Sequence, residues 1–281
     1  NPLVRPERLE SRLLEEAWDC VRVLRAQCEL QTRCDLQEVL LADKLSTVFQ
    51  PILDLRGWSV HGYEALTRGP AGSDYQMPLR LFEMAEQADL VFELDRKCRR
   101  RALLSATELP TEARLFVNVY PSAMYDPEFR GGALVSLVEA QGLTPDRVVL
   151  EITEKSAIEN YELFAEALSE LTDRGFSIAV DDVGAGYSGL EKIAHLKPRY
   201  LKFDRELIRD IDSSYIRREM TRALKTFADS IGSAIIAEGI ERQGELDTLV
   251  ELGVDYGQGY LLGRPAGSFL SAAAPAIRAV G

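Results

Sequence analysis

Two adjacent acids, Asp181 and Asp182, close the apolar run Ser177 to Val180 and lead into the glycine-rich turn Gly184-Ala185-Gly186-Tyr187-Ser188. The run has the short, uncharged composition of a buried strand, and a like-charged pair at its end repels itself unless a cation is near. Gly184 and Gly186 permit a sharp turn there, and Ser188 with Glu191 three positions on has the pattern of a capping box opening a helix. Taken alone, an Asp-Asp pair serves equally well as a cap, so its meaning depends on what else reaches the same place. Similar strand-like runs end in Glu64 and Arg68, in Asn118, in Glu151 and Glu154, in Lys202 and Asp204, in Glu238 and Glu241, and in Gln258. Each acid could be a surface residue or half of a structural ion pair; six runs delivering an acid or amide to one rim form a constellation. Oxygen donors without His or Cys suit hard cations such as Mg²⁺ or Mn²⁺. Two such ions about 3.5–4 Å apart clamp both the attacking and the leaving oxygen of a phosphoryl transfer, so phosphodiester hydrolysis is the natural reaction class. His61 and His195 lie outside the constellation and read as structural.

Positioning such a rim requires strands that run side by side. Eight strand-like segments are expected: Ser46 to Leu55, Ser59 to Arg68, Arg114 to Pro121, Arg147 to Thr153, Phe176 to Asp182, Tyr200 to Asp204, Ser233 to Ile240 and Tyr256 to Gly263. Helical patterns such as Phe164, Leu168 and Leu171 fill most intervals after the second strand, and three helices are expected to end at Gly175, Gly232 and Gly253. Only Arg56 to Trp58 separates the first two strands, too short for a parallel crossover, so these two must form an antiparallel hairpin. The expectation is an α/β fold, a (β/α)8 barrel with one reversed strand, whose active site lies at the strand C-termini.

The chain has 281 residues with 46% hydrophobic content, enough for a substantial core. A net charge of −12 argues against binding duplex nucleic acid or an anionic membrane through a broad basic surface. It leaves room for an anionic small molecule, because bound divalent metals reverse the local sign of an acidic pocket. Cys20, Cys28, Cys34 and Cys98 include no Cys-x-x-Cys pair and read as reduced thiols. No apolar run approaches the ~20 residues that span a bilayer, and no signal-peptide core follows Asn1, so a cytoplasmic location is expected. The chain starts without methionine and is expected to be excised from something longer. Residues 1–44 read as an N-terminal helical segment and 45–281 as the barrel. Within Pro6 to Leu30, Leu14, Ala17, Val21, Leu24 and Cys28 alternate spacings of three and four, the seam of a short coiled coil. A helix lying on its own domain and a connection to an upstream domain fit this pattern equally. A second helical piece is expected near Leu36 to Leu45. The run Lys97-Cys98-Arg99-Arg100-Arg101, among acidic neighbours, reads as a solvated helix face.

The run Glu64-Ala65-Leu66, the turn from Asp181 to Ser188, Glu238-Gly239-Ile240-Glu241, and Gln258-Gly259-Tyr260 with Pro265 resemble the EAL domain family, the cyclic di-GMP phosphodiesterases of bacterial signalling. The resemblance runs from about Leu45 to Gly267, with motifs in the family's order and spacing. It implies a modified TIM barrel with a reversed first strand and hydrolysis of cyclic di-GMP to linear pGpG. By motif position it implies that Glu64, Asn118, Glu151 and Asp181 hold one Mg²⁺ or Mn²⁺ and that Asp181, Asp182 and Glu238 hold the other, with Ca²⁺ inhibitory. Lys202, Glu238 and Glu64 are the implied catalytic residues: Lys202 orients the attacking water, and Glu238 is also cast as general base. Arg68, Gln50, Leu66 and Gln258 are implied substrate contacts, and Glu154, Asp204 and Glu241 supporting positions. A homodimer formed near the fifth and sixth strand-to-helix loops and an upstream sensory or GGDEF-type domain are implied partners.

Three positions depart from the family pattern. Val183 stands where Phe is most frequent, Gly189 where a second Ser is common, and Gly69-Pro70 where a bulky residue often follows Arg68. None removes a metal ligand; the first two bear on rate and regulation. The alternative from another class is a non-hydrolysing cyclic di-GMP receptor that relays occupancy through Pro6 to Leu30. Such receptors typically lack ligands at the positions of Glu64, Asp181-Asp182 or Lys202, and this chain retains all of them. An unrelated barrel acting on another phosphate ester would make the motif match a coincidence.

Overall fold

A computed structural model describes residues 6–129, 132–159, 161–184 and 189–269, with the side chains of 6–16, 163 and 164 outside that description. The turn from Ala185 to Ser188, with the expected turn glycine Gly186 and the expected cap Ser188, lies outside the described residues, as do the side chains of Leu14 and Phe164. Eight strands close a barrel in sequence order. They are β1 (Ser46–Asp54), β2 (Val60–Arg68), β3 (Arg114–Asn118), β4 (Val148–Thr153), β5 (Ser177–Val183), β6 (Tyr200–Phe203), β7 (Ala234–Ala237) and β8 (Tyr256–Gly257). The described helices are α1 (Pro6–Leu41), α2 (Pro78–Ala88), α3 (Val91–Leu104), α4 (Gly132–Glu139), α5 (Glu154–Glu159), α6 (Tyr161–Asp173), α7 (Leu190–Leu196), α8 (Arg205–Ile208), α9 (Tyr215–Ile231) and α10 (Gln243–Glu251).

The reversed strand follows from its short connection. Asp54 Oδ1 accepts the backbone N–H groups of Arg56 and Gly57, and Trp58 returns its N–H to the Asp54 carbonyl. This Asx-type turn makes β1 antiparallel to β2, in a register that sets Gln50 opposite Glu64. β1 is also antiparallel to β8, while the other neighbouring pairs run parallel. Gly175, Gly232 and Gly253 all have positive φ, as expected for glycines that end helices.

Strands three, seven and eight are shorter than their apolar runs predict. Beyond Asn118, Ala237 and Gly257 the chain leaves the ladder and turns to build the rim; Pro121, which has no N–H to pair, opens a short 3-10 turn at Pro121–Tyr125. Inside the barrel, Ile52, Phe116, Val149, Ala179, Tyr200 and Ile236 form a closed floor, with Tyr256 packed against it. His61 joins the floor, stacked on Tyr256 with ring centroids 3.9 Å apart and its Nε2 3.0 Å from the Tyr200 hydroxyl. The outward faces of the strands meet the helices in a larger core that includes Phe49, Tyr63, Leu115, Ile178, Leu201 and Ile235.

Contacts divide the chain into two compact units, residues 1–45 with 69–94 and residues 46–68 with 95–281. In the first, α1 is one continuous helix rather than the two expected pieces. No Gly or Pro interrupts residues 31–35, and Gln31 donates to Asp35 across one turn at 2.7 Å. Leu36, Val39 and Leu40 of α1 and Leu81, Ala85 and Ala88 of α2 are buried, whereas Val21, Leu24 and Cys28 of the heptad seam are exposed. All four cysteines are free thiols. The basic run on α3 is not a solvated face: Cys98 and Arg99 are buried while Lys97 and Arg100 face water. No helix among the described residues is long and apolar enough to cross a membrane.

Candidate active site

Successive side chains on a strand alternate between faces, so the residue two positions beyond each floor residue points to the same interior, one layer nearer the strand C-terminus. Phe116, Val149, Ala179, Tyr200, Ile236 and Tyr256 are followed in this way by Asn118, Glu151, Asp181, Lys202, Glu238 and Gln258. Gln50 precedes Ile52 because β1 runs the other way. An apolar floor therefore lies directly beneath a polar layer assembled from seven strands, and Glu64 enters that layer from β2.

The layer is organised around the Lys202 ammonium, whose side chain is 1% exposed. Its Nζ lies 2.6 Å from Glu238 Oε1, 2.9 Å from Glu151 Oε1, 3.4 Å from Asp181 Oδ1 and 3.7 Å from Glu64 Oε2. Burial works against the ammonium, yet Asp181, Glu151, Glu238 and Glu64 together raise its pKa well above the ordinary lysine value. One cation does not balance four carboxylates. Burial drives Glu151 well above its ordinary range, with Lys202 opposing and Glu64 and Asp181 adding to the rise. Burial likewise raises Asp181 and pushes Glu238 up to about 8. Glu64 goes the other way: burial would raise it, but Lys202 and hydrogen bonds from Gln258 and Asn118 outweigh that cost and hold it ionised.

Those bonds fix Glu64 from both sides. Asn118 Nδ2 donates to its Oε1 at 3.0 Å, and Gln258 Nε2 donates to its Oε2 at 2.6 Å. The same Gln258 amide donates to Gln50 Oε1 at 3.2 Å, and Gln50 Nε2 reaches the Gly263 carbonyl at 3.1 Å. Leu66 and Arg68 follow Glu64 on the same face of β2, both half-buried, and the Arg68 guanidinium donates to the Thr67 carbonyl at 2.8 Å.

The adjacent acids occupy a β-bulge. β5 advances from Val180 to Val183 while β6 advances from Leu201 to Phe203, one residue fewer, and Asp182 has φ of 59°. Bulges of this kind re-aim a side chain and cluster beside active sites. Asp182, beside rather than inside the ammonium cluster, is lifted to about 6 by burial and by the charges of Asp181 and Asp204. Of the other expected positions, Glu154 is buried and accepts the Gly184 N–H at 3.2 Å, tying the start of α5 to the end of β5. Asp204 caps α8 by accepting the Glu206 N–H at 2.6 Å. Glu241 is not brought into the cluster: it pairs at the surface with Arg205 at 2.9 Å.

Glu245, not singled out in the sequence, is the buried acid that holds this loop. It accepts backbone N–H groups from Asp210, Glu241 and Arg242. Its signal was its place at the third position of α10, where a glutamate reaches back to the helix start. The two rim motifs also interlock. A Cβ on Gly259 would stand 2.2 Å from the Ile240 carbonyl oxygen, and Ile240 donates its N–H to Gln258. Only glycine permits that approach.

Among the described residues no group of three or more acid, histidine or cysteine side chains is arranged to hold a metal ion as it stands, and the carboxylates converge instead on Lys202. The donor set nevertheless fits divalent cations. Glu151 Oε2 is sealed from solvent and accepts no hydrogen bond, while the equally buried Glu151 Oε1 and Glu238 Oε1 share the one Lys202 ammonium. Negative charge in excess of the single ammonium calls for further positive charge, and all-oxygen donors select hard ions.

Fold and site together define a modified (β/α)8 barrel with an acid-rich rim at its strand C-termini. The EAL domain family model matches residues 33–265, and the chain belongs to that family. The cyclic di-GMP phosphodiesterase NbdA of Pseudomonas aeruginosa is 33% identical over 255 residues, 86% of this chain and 32% of that protein. The uncharacterized protein y4lL of Sinorhizobium fredii is 32% identical over 238 residues, 83% of this chain and 28% of that protein. The chain thus spans about a third of the length of the curated relatives it matches. Klebsiella pneumoniae BlrP1, solved with calcium and cyclic di-GMP, aligns at TM-score 0.73 and 31% identity over 80% of this chain and 57% of that one. Its manganese and cyclic di-GMP complex at pH 9.0 gives the same TM-score and identity over 79% and 56%.

Proposed function

We propose that the rim hydrolyses cyclic di-GMP to linear pGpG with the help of two divalent cations. The observation that carries this reading is the convergence of four carboxylates, from β2, β4, β5 and the residue after β7, on one buried ammonium. The phosphodiesterase name of NbdA and the metal and cyclic di-GMP complexes of BlrP1 support it. Glu64, Asn118, Glu151 and Asp181 would hold one cation, and Asp181, Asp182 and Glu238 the other. Once bound, the cations supply Lewis-acid charge at the phosphoryl group and a water acidic enough to attack at neutral pH.

The chain's own groups do the rest. Asn118 donates through Nδ2 to Glu64, which leaves its Oδ1 for a cation. Lys202 keeps its proton at Nζ and orients the attacking water, and Glu238, 2.6 Å from that ammonium, accepts the water's proton as the P–O bond forms. The bond from phosphorus to the 3′ oxygen breaks, that oxygen takes up a proton from solvent water to become the 3′ hydroxyl, Glu238 returns its proton to solvent, and the 5′-phosphate end of pGpG remains. Arg68 offers a permanently charged fork to a substrate phosphate. Leu66 lines the approach, while Gln50 and Gln258 face the ligand from the strands that hold Glu64.

Incubating the protein with cyclic di-GMP and Mg²⁺ or Mn²⁺, and following pGpG by chromatography, tests the reading. Conversion should stop with EDTA and be poor in Ca²⁺, whose looser geometry suits binding better than turnover. Binding without conversion would replace the enzyme by the receptor reading. The family likeness extends the proposal to a cytoplasmic homodimer governed by a sensory or GGDEF-type domain, and light scattering of the purified chain tests the dimer.

A further inference from the structure

Behind the rim, on the outer side of β3, lies a buried cluster that the catalytic reading does not use. Asp95 and Asp126 are 3% and 0% exposed and Arg99 is 6% exposed. Arg99 pairs with Asp95 at 3.0 Å and with Asp126 at 2.8 Å, and its guanidinium lies over the Phe129 ring, 4.8 Å from the centroid. Arg96 grips Asp126 with two parallel hydrogen bonds of 2.9 and 2.7 Å. Two acids and two arginines thus neutralise one another: Asp95, Asp126 and Arg99 are shut off from solvent, and Arg96, 37% exposed, closes the cluster on its water side. Such clusters rarely add net stability over apolar packing, so what this one does has to be read from what it holds.

It holds the backbone that follows Asn118. Asp95 Oδ1 accepts the N–H of Tyr120 at 3.2 Å, two residues after Asn118. Between them, Val119 donates its N–H to the Glu151 carbonyl at 2.8 Å. Asp126, at the far end of the 3-10 turn, accepts the Glu128 N–H at 2.9 Å. The segment leaving β3 is therefore clamped to β4 on one side and to α3 on the other, directly after Asn118, whose Nδ2 donates to Glu64 Oε1 at 3.0 Å.

We propose that Asp95, backed by Arg99 and Asp126, is a positioning residue for Asn118, and that it tunes divalent-cation binding at the Glu64–Asn118 end of the rim. The proposal rests on the metal-dependent reading above and gives α3 a part in the site that its surface-like sequence conceals.

The experiment is a double-mutant cycle read by Mn²⁺ titration as well as by cyclic di-GMP hydrolysis. Asp95→Ala should weaken Mn²⁺ binding and lower kcat/KM by about ten- to hundredfold, the range for a residue that orients a ligand. Asn118→Ala should do the same, and Asp95→Ala in the Asn118→Ala background should add little, because the two act through one another. Asp95→Asn, which keeps an acceptor for the Tyr120 N–H, should recover most of the loss. It also serves as the test variant if Asp95→Ala does not fold: near-normal Mn²⁺ affinity supports the proposal. Losses that multiply in the double variant would overturn it, as would an Asp95→Ala protein that melts earlier yet binds Mn²⁺ normally, or an Asp95→Asn protein with weakened Mn²⁺ affinity. Wild-type protein that binds Mn²⁺ but does not hydrolyse cyclic di-GMP would refute the enzymatic reading alone, and the Mn²⁺ cycle would still decide the role of Asp95.

Discussion

At the scale of single residues, the charge balance around Lys202 sets the chemistry. An ammonium within 3.7 Å of four carboxylates serves as their internal counter-charge, and the proposed mechanism also gives it the orienting of the attacking water. Its Nζ is nearest to Glu238, at 2.6 Å, the carboxylate proposed above as the proton acceptor. Lys202→Ala should lower kcat by about a hundredfold, the scale of losing one preorganised donor at the reacting centre. Affinity for cyclic di-GMP should change far less, since Arg68 rather than Lys202 is assigned to the phosphate. Equal losses in turnover and affinity, measured by steady-state kinetics and by calorimetry in Ca²⁺, would make Lys202 a substrate contact.

At the scale of elements, the departure at Gly189 has a local cause. A Cβ there would stand 1.9 Å from Ile158 Cδ1 and 2.3 Å from Cγ1. Ile158 of α5 occupies the space that a serine side chain would need at the start of α7. Gly189→Ser should lower the melting temperature, and Ile158→Ala, though it removes apolar contacts of its own, should make Gly189→Ser nearly neutral when the two are combined. Full additivity in thermal unfolding would show that the two side chains do not compete. The bulge at Asp181 and Asp182 is the other decisive local feature. A regular strand would send the two acids to opposite faces, whereas the extra residue and the left-handed Asp182 keep both at the mouth.

For the molecule as a whole, the floor beneath the polar layer governs acid stability. Burial, then the charges of Arg114 and Arg199, lower His61 from its ordinary 6.5 to about 4. The unfolded chain therefore takes up this proton before the folded one. The contribution of His61 to stability is full above about pH 6.5 and is lost as the pH falls towards about 4, by up to about 3 kcal/mol. Urea unfolding at pH 7 and pH 4.5 should show this loss, and His61→Gln, which preserves a partner for the Tyr200 hydroxyl, should lessen it. An unchanged pH dependence would assign the acid sensitivity to other groups.

The eight strands, the reversed first strand and the ring of acids were legible in the sequence because each rests on local rules. Apolar runs mark strands, a three-residue gap forces a hairpin, and a period of two carries Glu64, Asn118, Glu151, Asp181, Lys202 and Glu238 inward. What stayed hidden depends on contacts between positions far apart in the chain. Asp95 and Arg99 read as an ordinary surface pair four residues apart on a helix, and only the fold brings Asp126 and the Tyr120 N–H against them. Glu241 and Glu245 are the same residue type four positions apart, yet the path of the loop after β7 exposes the first and buries the second. Residue types and their order establish which groups can ionise and which segments can pair. The tertiary structure alone decided which charges lose water together, and Coulomb energies follow distance and burial rather than order along the chain.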